Sequence, residues 1–396
     1  MYNITRLLIY KIIFPFIFRL FSFFSVNKFL VLFVVYNFDK LPLNMNLIYN
    51  ICIKHGYSCK LFLKFNKDQY KFIIYRYIKQ FLFIYNFLKY YAYSKYVVLD
   101  DYYPYLYFIK PRKNVKIVQL WHGCGAFKKF GYSCINKKWD ELNKSHKYFP
   151  IHNTYTDVFV SSPIVIPYYK EAFNCDVSII KPLGVPRTDY YFNIQNINSA
   201  LENIKKTYTN IENRKIILYA PTFRGIDVSF SVFTDKIDYN YLASLIKNDY
   251  VLLVKYHPFA KKIIKQEITE SLNNNFLYDI TNSFTIENSL CAADIVISDY
   301  SSLIFEYSLL ERPMIFFTDD LDSYDDERGF YFPYKDFVPG PIVNDTESLV
   351  NAIHNAYSQD NIKKVKAFKE KFMSSCDGNS TERIYNYIFK INNIGY

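Results

Sequence analysis

Short apolar runs alternate with helical patterns along most of the chain, and this alternation restricts the fold more than any other feature. Runs such as KFLVLFVVY, KYVVLD and VKIVQLW are each joined to the next by segments of helical or irregular pattern. Buried parallel strands are continuously apolar, and parallel neighbours need a crossover that is usually a helix. The pattern therefore predicts an α/β protein with parallel sheets rather than a β-sandwich or a helical bundle.

The strand and helix pattern is interrupted once and then starts again. The interruption, residues 193–213, is polar and rich in Asn, as expected of a connecting helix and linker. Because 396 residues are too many for one ordinary core, we expect two doubly wound domains, 29–195 and 196–375, and a C-terminal helix, 376–396, that packs back. The carboxyl ends of both sheets would then face one cleft, the usual place for a ligand.

Residues 1–28 are strongly apolar but carry basic residues throughout. The basic positions are Arg6, Lys11, Arg19 and Lys28. No uncharged run reaches the roughly 18 residues of a membrane-spanning helix, and a signal-peptide cleavage site is lacking. With a formal net charge of +11, we expect a helix over about residues 3–25 that lies on an anionic membrane surface. Packing of this helix on the protein's own core would explain the same pattern.

Other recognisable chemistry is scarce in the sequence. Seven cysteines, without a Cys-x-x-Cys pair or zinc-finger spacing, are typical of reduced thiols in a cytosolic protein. Asp320 and Asp322 form an Asp-x-Asp pattern that is common by chance, and no P-loop or nucleic-acid recognition motif appears. We therefore expect no metal, no cofactor and no nucleic-acid partner.

The segment LWHGCGAFKKFGY, residues 120–132, gathers three of the chain's 10 glycines around His122, directly after a predicted strand. Glycine lets backbone approach a ligand closely and leaves N–H groups for phosphate oxygens. Lys128 and Lys129 follow within reach of the same anion. A lone histidine in a loop is usually incidental, but this combination predicts an anion site.

Similar polar residues follow the predicted strands of the second half. In VKYHPF, Pro258 keeps His257 extended at a strand end, with Lys255 on the same strand face. Two histidines from opposite domains could act as a base and as a stabiliser of phosphate charge. YAPTFRG places Thr222 and Arg224 after another strand.

In DIVISDYSSLIFEY the predicted strand stops at Asp299 and a helix starts near Ser301. Ser301 and Ser302 can cap this helix and bind a phosphate, and Glu306 could accept from ribose hydroxyls. Arg187, on the rigid turn PLGVPRTD, suits a bidentate grip on phosphate, although a surface salt bridge with Asp189 would equally explain it.

Six segments, taken in order, resemble the CDP-glycerol glycerophosphotransferase family. They are WHGCGAFKKFG, LGVPRTD, ILYAPTFRG, VKYHPF, DIVISDYSSLIFEY and ERGFYFPYKDFVPGPIV, within residues 29–375. Members of this family make poly(glycerol phosphate) or poly(ribitol phosphate) chains of teichoic acids and related capsules. The resemblance implies a GT-B-like fold of two Rossmann-type domains, a CDP-glycerol or CDP-ribitol donor, a lipid-linked or polysaccharide acceptor, and a peripheral location on the cytoplasmic face of the membrane.

The resemblance also implies roles for single residues. His122 would deprotonate the acceptor hydroxyl that attacks the β-phosphate and expels CMP, and His257 would stabilise the phosphates. The donor-contacting positions of the family correspond to Trp121, Gly123, Cys124, Gly125, Arg187, Pro221, Thr222, Lys255, Tyr256, Ser301, Ser302 and Glu306.

The sequence departs from the family pattern at two places. The common Trp-His-Gly-Thr-Pro-Leu is Trp-His-Gly-Cys-Gly-Ala here, which leaves the alditol open, and a frequent Asp is replaced by Glu306. Addition of one unit and of a polymer both remain open. The alternatives are a GT-B transferase that uses a CMP-sugar, sialic acid or Kdo, and a non-catalytic basic protein of the membrane surface.

Overall fold

The computed structural model describes residues 7–135, 150–211, 213–222, 237–256, 275–318, 320–321 and 329–390. The strands are β1 (Asn27–Val34), β2 (Ser58–Phe62), β3 (Ser94–Leu99), β4 (Lys116–Gln119), β5 (Asp157–Phe159), β6 (Ile180–Lys181), β7 (Lys215–Ala220), β8 (Tyr250–Val254), β9 (Leu277–Asp279), β10 (Ile295–Ser298), β11 (Met314–Phe317) and β12 (Ile342–Val343). The α-helices are α1 (Phe14–Phe21), α2 (Leu43–Lys54), α3 (Ile73–Tyr93), α4 (Ile166–Phe173), α5 (Ile194–Thr207), α6 (Tyr239–Ile246), α7 (Ile286–Ala292), α8 (Leu303–Ser308), α9 (Tyr334–Phe337), α10 (Thr346–His354), α11 (Gln359–Phe372) and α12 (Ser380–Tyr385).

The strands form two six-stranded sheets, one from each half of the chain. The first has the order β2-β1-β3-β4-β5-β6 and the second β12-β11-β10-β7-β8-β9. The strand pairs of both sheets are parallel. The prediction of two parallel-sheet α/β units is therefore confirmed, and the polar interruption between them contains α5.

Each sheet has a point at which the strand order reverses. In the first sheet β1 lies between β2 and β3, and in the second β7 lies between β8 and β10. In sheets of this kind ligands bind outside the carboxyl ends of the strands at such a point. The loops after β3, β7 and β10 are therefore the first places to look for a site.

The N-terminal segment packs on the first half through one face only. Phe14 and Phe18 of α1 are buried, and the Phe18 ring lies 4.8 Å from that of Tyr91 on α3. Phe16 and Leu20 of the same helix are exposed. Among the described residues no helix is long and apolar enough to cross a membrane.

The C-terminal segment returns to the first half. Ser161 and Ser162, after β5, donate their hydroxyls to the carbonyls of Phe372 and Lys371 at the end of α11 (2.8 and 2.7 Å). Beyond α12, Phe389 packs in the same cluster as strands β1 and β3. We predicted that residues 376–396 pack back on the first half. The described part of this segment, up to residue 390, contributes Ile384, Tyr385, Ile388 and Phe389 to that cluster.

Candidate active site

A cavity of about 560 Å³ lies between the carboxyl ends of the strands of the two halves. The first half contributes Phe38, His122, Arg187 and Tyr191 to its lining, and the second contributes Ala220, Pro221, Thr222, Lys255, Tyr256, Ile286, Glu287, Leu290, Ser301, Ser302, Leu303 and Glu306. Nine of the predicted site residues are among them. This cavity is here called the cleft cavity.

His122 stands three residues beyond Gln119, the last residue of β4, and its imidazole is oriented by the loop after β3. Its Nδ1 lies 3.3 Å from the Asp100 carbonyl oxygen and 3.7 Å from the Asp101 carboxylate. In the tautomer that donates from Nδ1, Nε2 keeps the lone pair that a base needs. Because the His122 side chain is 55% exposed, this nitrogen can reach a substrate.

Two acidic residues support this orientation. Burial, and then the neighbouring Asp101 carboxylate, raise the pKa of the Asp100 carboxyl to about 7. Asp101 is fixed by hydrogen bonds from the Asn37 side chain (2.8 Å) and from the Tyr102 backbone N–H (2.7 Å). Two consecutive carboxyls directly after a strand, as in LDDYY at the end of β3, are a recognisable pattern at the reversal point of a sheet. Asp100 and Asp101 were nevertheless not among the predicted site residues.

Arg187 and Glu306 form an ion pair across the cleft. The guanidinium also donates to the His122 carbonyl oxygen and lies 4.0 Å from the Cys124 sulfur. Burial disfavours the charged form of Arg187, but the Glu306 carboxylate keeps its pKa above the ordinary value. The expected alternative, a salt bridge to Asp189, is wrong, because Asp189 accepts from the backbone N–H groups at the start of α12.

Asn44, buried on α2, joins two parts of the site. Its side-chain nitrogen donates to the Trp121 carbonyl oxygen (2.6 Å), and its oxygen accepts from the Arg187 backbone N–H (2.9 Å). The residue therefore fixes the distance between the His122 loop and the Arg187 turn. No sequence pattern identified it, since one Asn on an amphipathic helix has no distinguishing neighbours.

The loops after β7 and β10 are joined through Asp299. Its carboxylate accepts from the Thr222 backbone N–H and hydroxyl (3.0 and 2.9 Å), which holds Thr222 beside Ser301. Ser301 accepts from the Leu303 N–H (3.4 Å), and Ser302 precedes α8 without a side-chain capping bond. The prediction of two capping serines is therefore correct for Ser301 only.

Lys255 reaches the rim of the cleft cavity from the end of β8. Its ammonium donates to the carbonyl oxygens of Thr281 (3.2 Å) and Phe284, and the next residue, Tyr256, donates its N–H to the Thr281 hydroxyl (3.0 Å). Hydrogen bonds to two carbonyls hold the cation in place at the rim. It therefore supplies positive charge to this side of the cavity.

Part of the predicted glycine-rich site lies behind the cavity wall. Trp121, Cys124 and Gly125 are buried and are not among the lining residues, and neither is Gly123. The Gly125 N–H is already donated to the Ser161 hydroxyl (3.0 Å). The expectation that this N–H is free for a phosphate is wrong.

The glycine at position 125 has a packing reason instead. Its φ is +62°, a left-handed conformation, and a Cβ there would lie 2.1 Å from the Phe305 ring. Cys124 is likewise a buried neighbour of Arg187, and burial followed by Glu306 raises the pKa of its thiol well above the ordinary value. These two positions shape the cleft from behind.

The remaining predictions fall outside the cavity or outside the described residues. Lys128 pairs through its backbone with Phe330, and Lys129 donates its N–H to the Gly329 carbonyl oxygen (3.0 Å). Neither lysine lines the cleft cavity, so their predicted place behind the anion is not supported. His257, Arg224 and Asp322 lie outside the described residues.

The apolar wall of the cavity had no signal in the sequence. Ile286 and Leu290, one turn apart on α7, and Tyr191 face the polar loops from the other side. Burial, then the carboxylates of Glu306 and Glu287, raise the pKa of Tyr191 well above its ordinary value. The wall offers a surface for the flat part of a ligand.

Within the described ranges no group of three His, Cys, Asp or Glu side chains could hold a metal.

Comparisons with known proteins agree with this architecture. The family model described as CDP-glycerol:poly(glycerophosphate) glycerophosphotransferase matches residues 16–390. The teichoic acid ribitol-phosphate primase of Bacillus spizizenii is 40% identical over 74% of this chain and 74% of its own length. The teichoic acid glycerol-phosphate primase of Bacillus subtilis is 33% identical over 74% and 73%.

Solved structures show the same fold at lower identity. The wall teichoic acid polymerase TagF superposes with a TM-score of 0.75 at 22% identity, over 97% of this chain and 95% of that one. The UDP-GlcNAc 2-epimerase of Methanocaldococcus jannaschii gives 0.56 at 13% identity, over 92% and 100%. The GT-B-like arrangement of two sheets is thus shared with both.

Proposed function

We propose that this chain, which belongs to the CDP-glycerol:poly(glycerophosphate) glycerophosphotransferase family, carries out its transfer in the cleft cavity. The reaction is CDP-alditol-dependent phosphotransfer in teichoic acid synthesis. The observation that supports this location is the position of His122, with Nδ1 held by the loop after β3 and the lining hydroxyls of Thr222 and Ser301 on the other side of the cavity.

In the proposed step Nε2 of His122 removes the proton from an acceptor hydroxyl. The acceptor oxygen attacks the β-phosphorus of the CDP-alditol, a new P–O ester bond forms, and the bond to the bridging anhydride oxygen breaks. CMP leaves with that oxygen and its electron pair, and the proton remains on the imidazole until it passes to solvent. A positioned base of this kind contributes about 10² to 10⁴ in rate.

The second half would bind the donor phosphates. Thr222, Ser301 and Lys255 bring two hydroxyls and one cation to the same cavity, which suits the charge that develops on the leaving phosphate. Glu306 Oε2 is buried and has no hydrogen-bond partner among the described residues, and it can accept from a ribose hydroxyl. The role of His257 as a second stabiliser stays a prediction.

Arg187 has a different role from the one first expected. Its guanidinium is engaged by Glu306 and by the His122 carbonyl oxygen. We assign it to closing the cleft and holding the His122 loop, rather than to a bidentate grip on phosphate.

Among the donors we place CDP-ribitol before CDP-glycerol. The ribitol-phosphate primase of B. spizizenii is 40% identical, compared with 33% for the glycerol-phosphate primase of B. subtilis, over similar lengths. Because Cys124 and Gly125 lie behind the cavity wall, the altered loop would affect the choice of alditol only through the shape of the cleft.

Peripheral binding to the cytoplasmic face of an anionic membrane is the second part of the proposal. Exposed apolar side chains occur on α1, as Phe16 and Leu20, and at the start of α3, where Ile74 is 73% exposed and Phe72, just before the helix, is 77% exposed. Clusters of exposed apolar side chains of this kind mark a membrane or a partner surface. The two helices together therefore replace the single N-terminal helix of the sequence prediction as the lipid-facing surface.

A donor screen tests the function. Purified protein and an acceptor lipid are incubated with CDP-ribitol, CDP-glycerol or CMP-sialic acid, and CMP release and product mass are measured. We expect CMP release with CDP-ribitol and a product heavier by whole ribitol-phosphate units. Release from CMP-sialic acid alone would contradict the proposal.

A further inference from the structure

A second cavity of about 560 Å³, here called the outer cavity, lies at the carboxyl ends of β1 and β2. Its walls are the loop 35–39, the loop 63–68, Tyr103 and Tyr105 after β3, and one face of α3. Phe38 lines this cavity and the cleft cavity alike. The outer cavity therefore opens directly beside the candidate active site.

The wall between the two cavities is built from specific contacts. The Lys64 backbone N–H donates to the Phe38 carbonyl oxygen (2.9 Å), which joins the two loops. Asn37 donates its side-chain N–H to one carboxylate oxygen of Asp101 (2.8 Å), and the other oxygen lies 3.7 Å from His122 Nδ1. Asn37, which lines the outer cavity, is therefore connected to the base through Asp101.

The outer cavity carries more positive than negative side chains. Lys64, Lys67 and Arg76 line it, with Asp39 and Asp68 as the acidic members. Arg76 donates from Nε to the Lys67 carbonyl oxygen (3.2 Å) and lies 3.5 Å from the Asp68 carboxylate, whose side chain is 94% exposed. An exposed ion pair is weak, so a phosphate can take the place of Asp68 on the guanidinium.

Tyr103 adds a buried polar atom to the wall. The residue is 1% exposed, its ring packs 5.0 Å from that of Phe87, and its hydroxyl has no hydrogen-bond partner among the described residues. A buried polar group without a partner costs about 1–3 kcal/mol. A bound ligand that hydrogen-bonds this hydroxyl would recover that cost, which points to a polar, hydroxylated ligand.

The helix that forms one wall also carries exposed apolar side chains. Arg76 and Phe83 of α3 line the outer cavity, whereas Ile74 and Tyr77 of the same helix are exposed. The outer cavity thus lies between an apolar surface and the base. An acceptor with a lipid tail, a phosphate and free hydroxyls matches this arrangement. Its tail would lie on the apolar surface, its phosphate in the outer cavity and a hydroxyl near the base.

We propose that the outer cavity binds the phosphate-bearing, polyhydroxylated end of the acceptor, with Arg76 on the phosphate and Tyr103 on a hydroxyl. This assignment rests on the proposed transfer function, since it is His122 that would act on the bound acceptor. It directs the acceptor hydroxyl past Phe38 into the cleft cavity.

The octyl ester of glycerol 1-phosphate is a suitable probe, with octyl glycerol and inorganic phosphate as separate arms. Titration calorimetry measures the affinity of each for the wild-type protein and for Arg76→Gln and Tyr103→Phe. Tyr91→Phe is the matched control, because Tyr91 is equally buried, also has no hydroxyl partner among the described residues, and does not line the outer cavity. Thermal melting checks that each variant is folded.

We expect saturable binding of the octyl phosphate ester and weaker binding of both other compounds. Arg76→Gln should weaken the ester about tenfold and Tyr103→Phe several-fold, as loss of one hydrogen bond to a charged group and of one neutral bond would. Tyr91→Phe should bind the ester with the wild-type affinity. The affinity for CDP-ribitol should be the same in all variants. Equal binding by all variants, an equal loss in Tyr91→Phe, or no saturable binding by the wild type would overturn the inference.

The two proposals fail separately in this design. CMP release that depends on His122, together with unchanged probe binding in Arg76→Gln, would remove the acceptor assignment and leave the transfer function. CMP release that does not depend on His122 would remove the function, whatever the probe shows.

Discussion

The orientation of His122 depends on residues far away in the sequence. Asp100 and Asp101 face Nδ1 from the loop after β3, and Arg187 holds the carbonyl oxygen. Each of these contacts is local in space and remote along the chain. Removal of one of these neighbours should therefore disturb the orientation of the imidazole and leave the imidazole itself intact.

Asp101→Asn should therefore lower kcat about tenfold and leave KM for the CDP-alditol unchanged, because the imidazolium that forms in the transition state loses a nearby negative charge. Steady-state CMP release measures both parameters. Asp360→Asn, an exposed carboxylate on α11, is the control. A rise in donor KM with unchanged kcat would mean that Asp101 acts on binding and not on His122.

His152 makes the protein sensitive to acid without taking part in the site. It is buried behind Trp121, and burial, followed by the charge of His122, lowers the pKa of its imidazole to about 3. Below the ordinary value near 6.5, the unfolded state binds a proton that the folded state does not. Stability from this group is thus complete near pH 7 and falls as the pH drops from 6.5 toward 3.

At pH 5 this difference amounts to about 2 kcal/mol in the free energy of unfolding. Denaturant unfolding at pH 7 and pH 5 measures it, and His152→Asn, which tolerates the residue's φ of +58°, should show a smaller loss between the two pH values. An equal loss in wild type and variant would assign the acid sensitivity to other groups.

At single residues the sequence predicted a conformational requirement but not its cause. The glycine at position 125 was correctly identified as a backbone requirement, but the requirement is the Phe305 ring behind it and not a phosphate in front. Trp121, with φ of +53°, turns the chain after β4. That turn places its own side chain inward, with His122 on the cavity side, which spacing along a sequence does not reveal.

Strands were predictable because buried parallel strands are short, apolar and separated by helical patterns. The strand ends at residues 119, 220, 254 and 298 lead into the predicted site loops. The helical patterns predicted where helices occur but not which elements they pack against. The long pattern before β3 gave α3, but nothing in it showed that this helix would pack against α1.

The exposed apolar side chains at the start of α3 yield a prediction for membrane binding. Replacing Phe72 and Ile74 of the α3 region with Ser should weaken binding to vesicles of anionic lipid by about tenfold or more, since each buried CH₂ contributes about 0.8 kcal/mol. Sedimentation with phosphatidylserine vesicles measures it. Ile194→Ser, at an exposed position on α5 (64%), is the control, and equal losses would contradict the assignment.

Point variants are preferable to deletion of residues 1–25. Phe14 and Phe18 are buried against the first half, so deletion would expose core as well as remove a lipid contact. Of the two explanations offered by the sequence, core packing holds for the buried face of α1, and membrane contact of its exposed face stays a prediction.

The two halves are held together by contacts from the loop that carries His122. Phe127 stacks on Phe337 with ring centroids 4.9 Å apart, and its carbonyl oxygen accepts from the Tyr331 N–H (3.0 Å). With the Arg187–Glu306 pair, these contacts fix the base relative to the donor side. The two-domain architecture followed from the sequence, but the cross-cleft contacts did not, because they join segments more than a hundred positions apart that share no periodic pattern.

At the scale of the whole molecule the central claim is that the cleft cavity, with His122 as base, performs the transfer. The most direct measurement compares CMP release from CDP-ribitol and an acceptor lipid by wild type and His122→Ala, with donor affinity and thermal melting measured on both. We predict a folded variant that binds the donor with unchanged affinity and releases CMP about a thousandfold more slowly. CMP release by the folded variant at the wild-type rate would contradict the account.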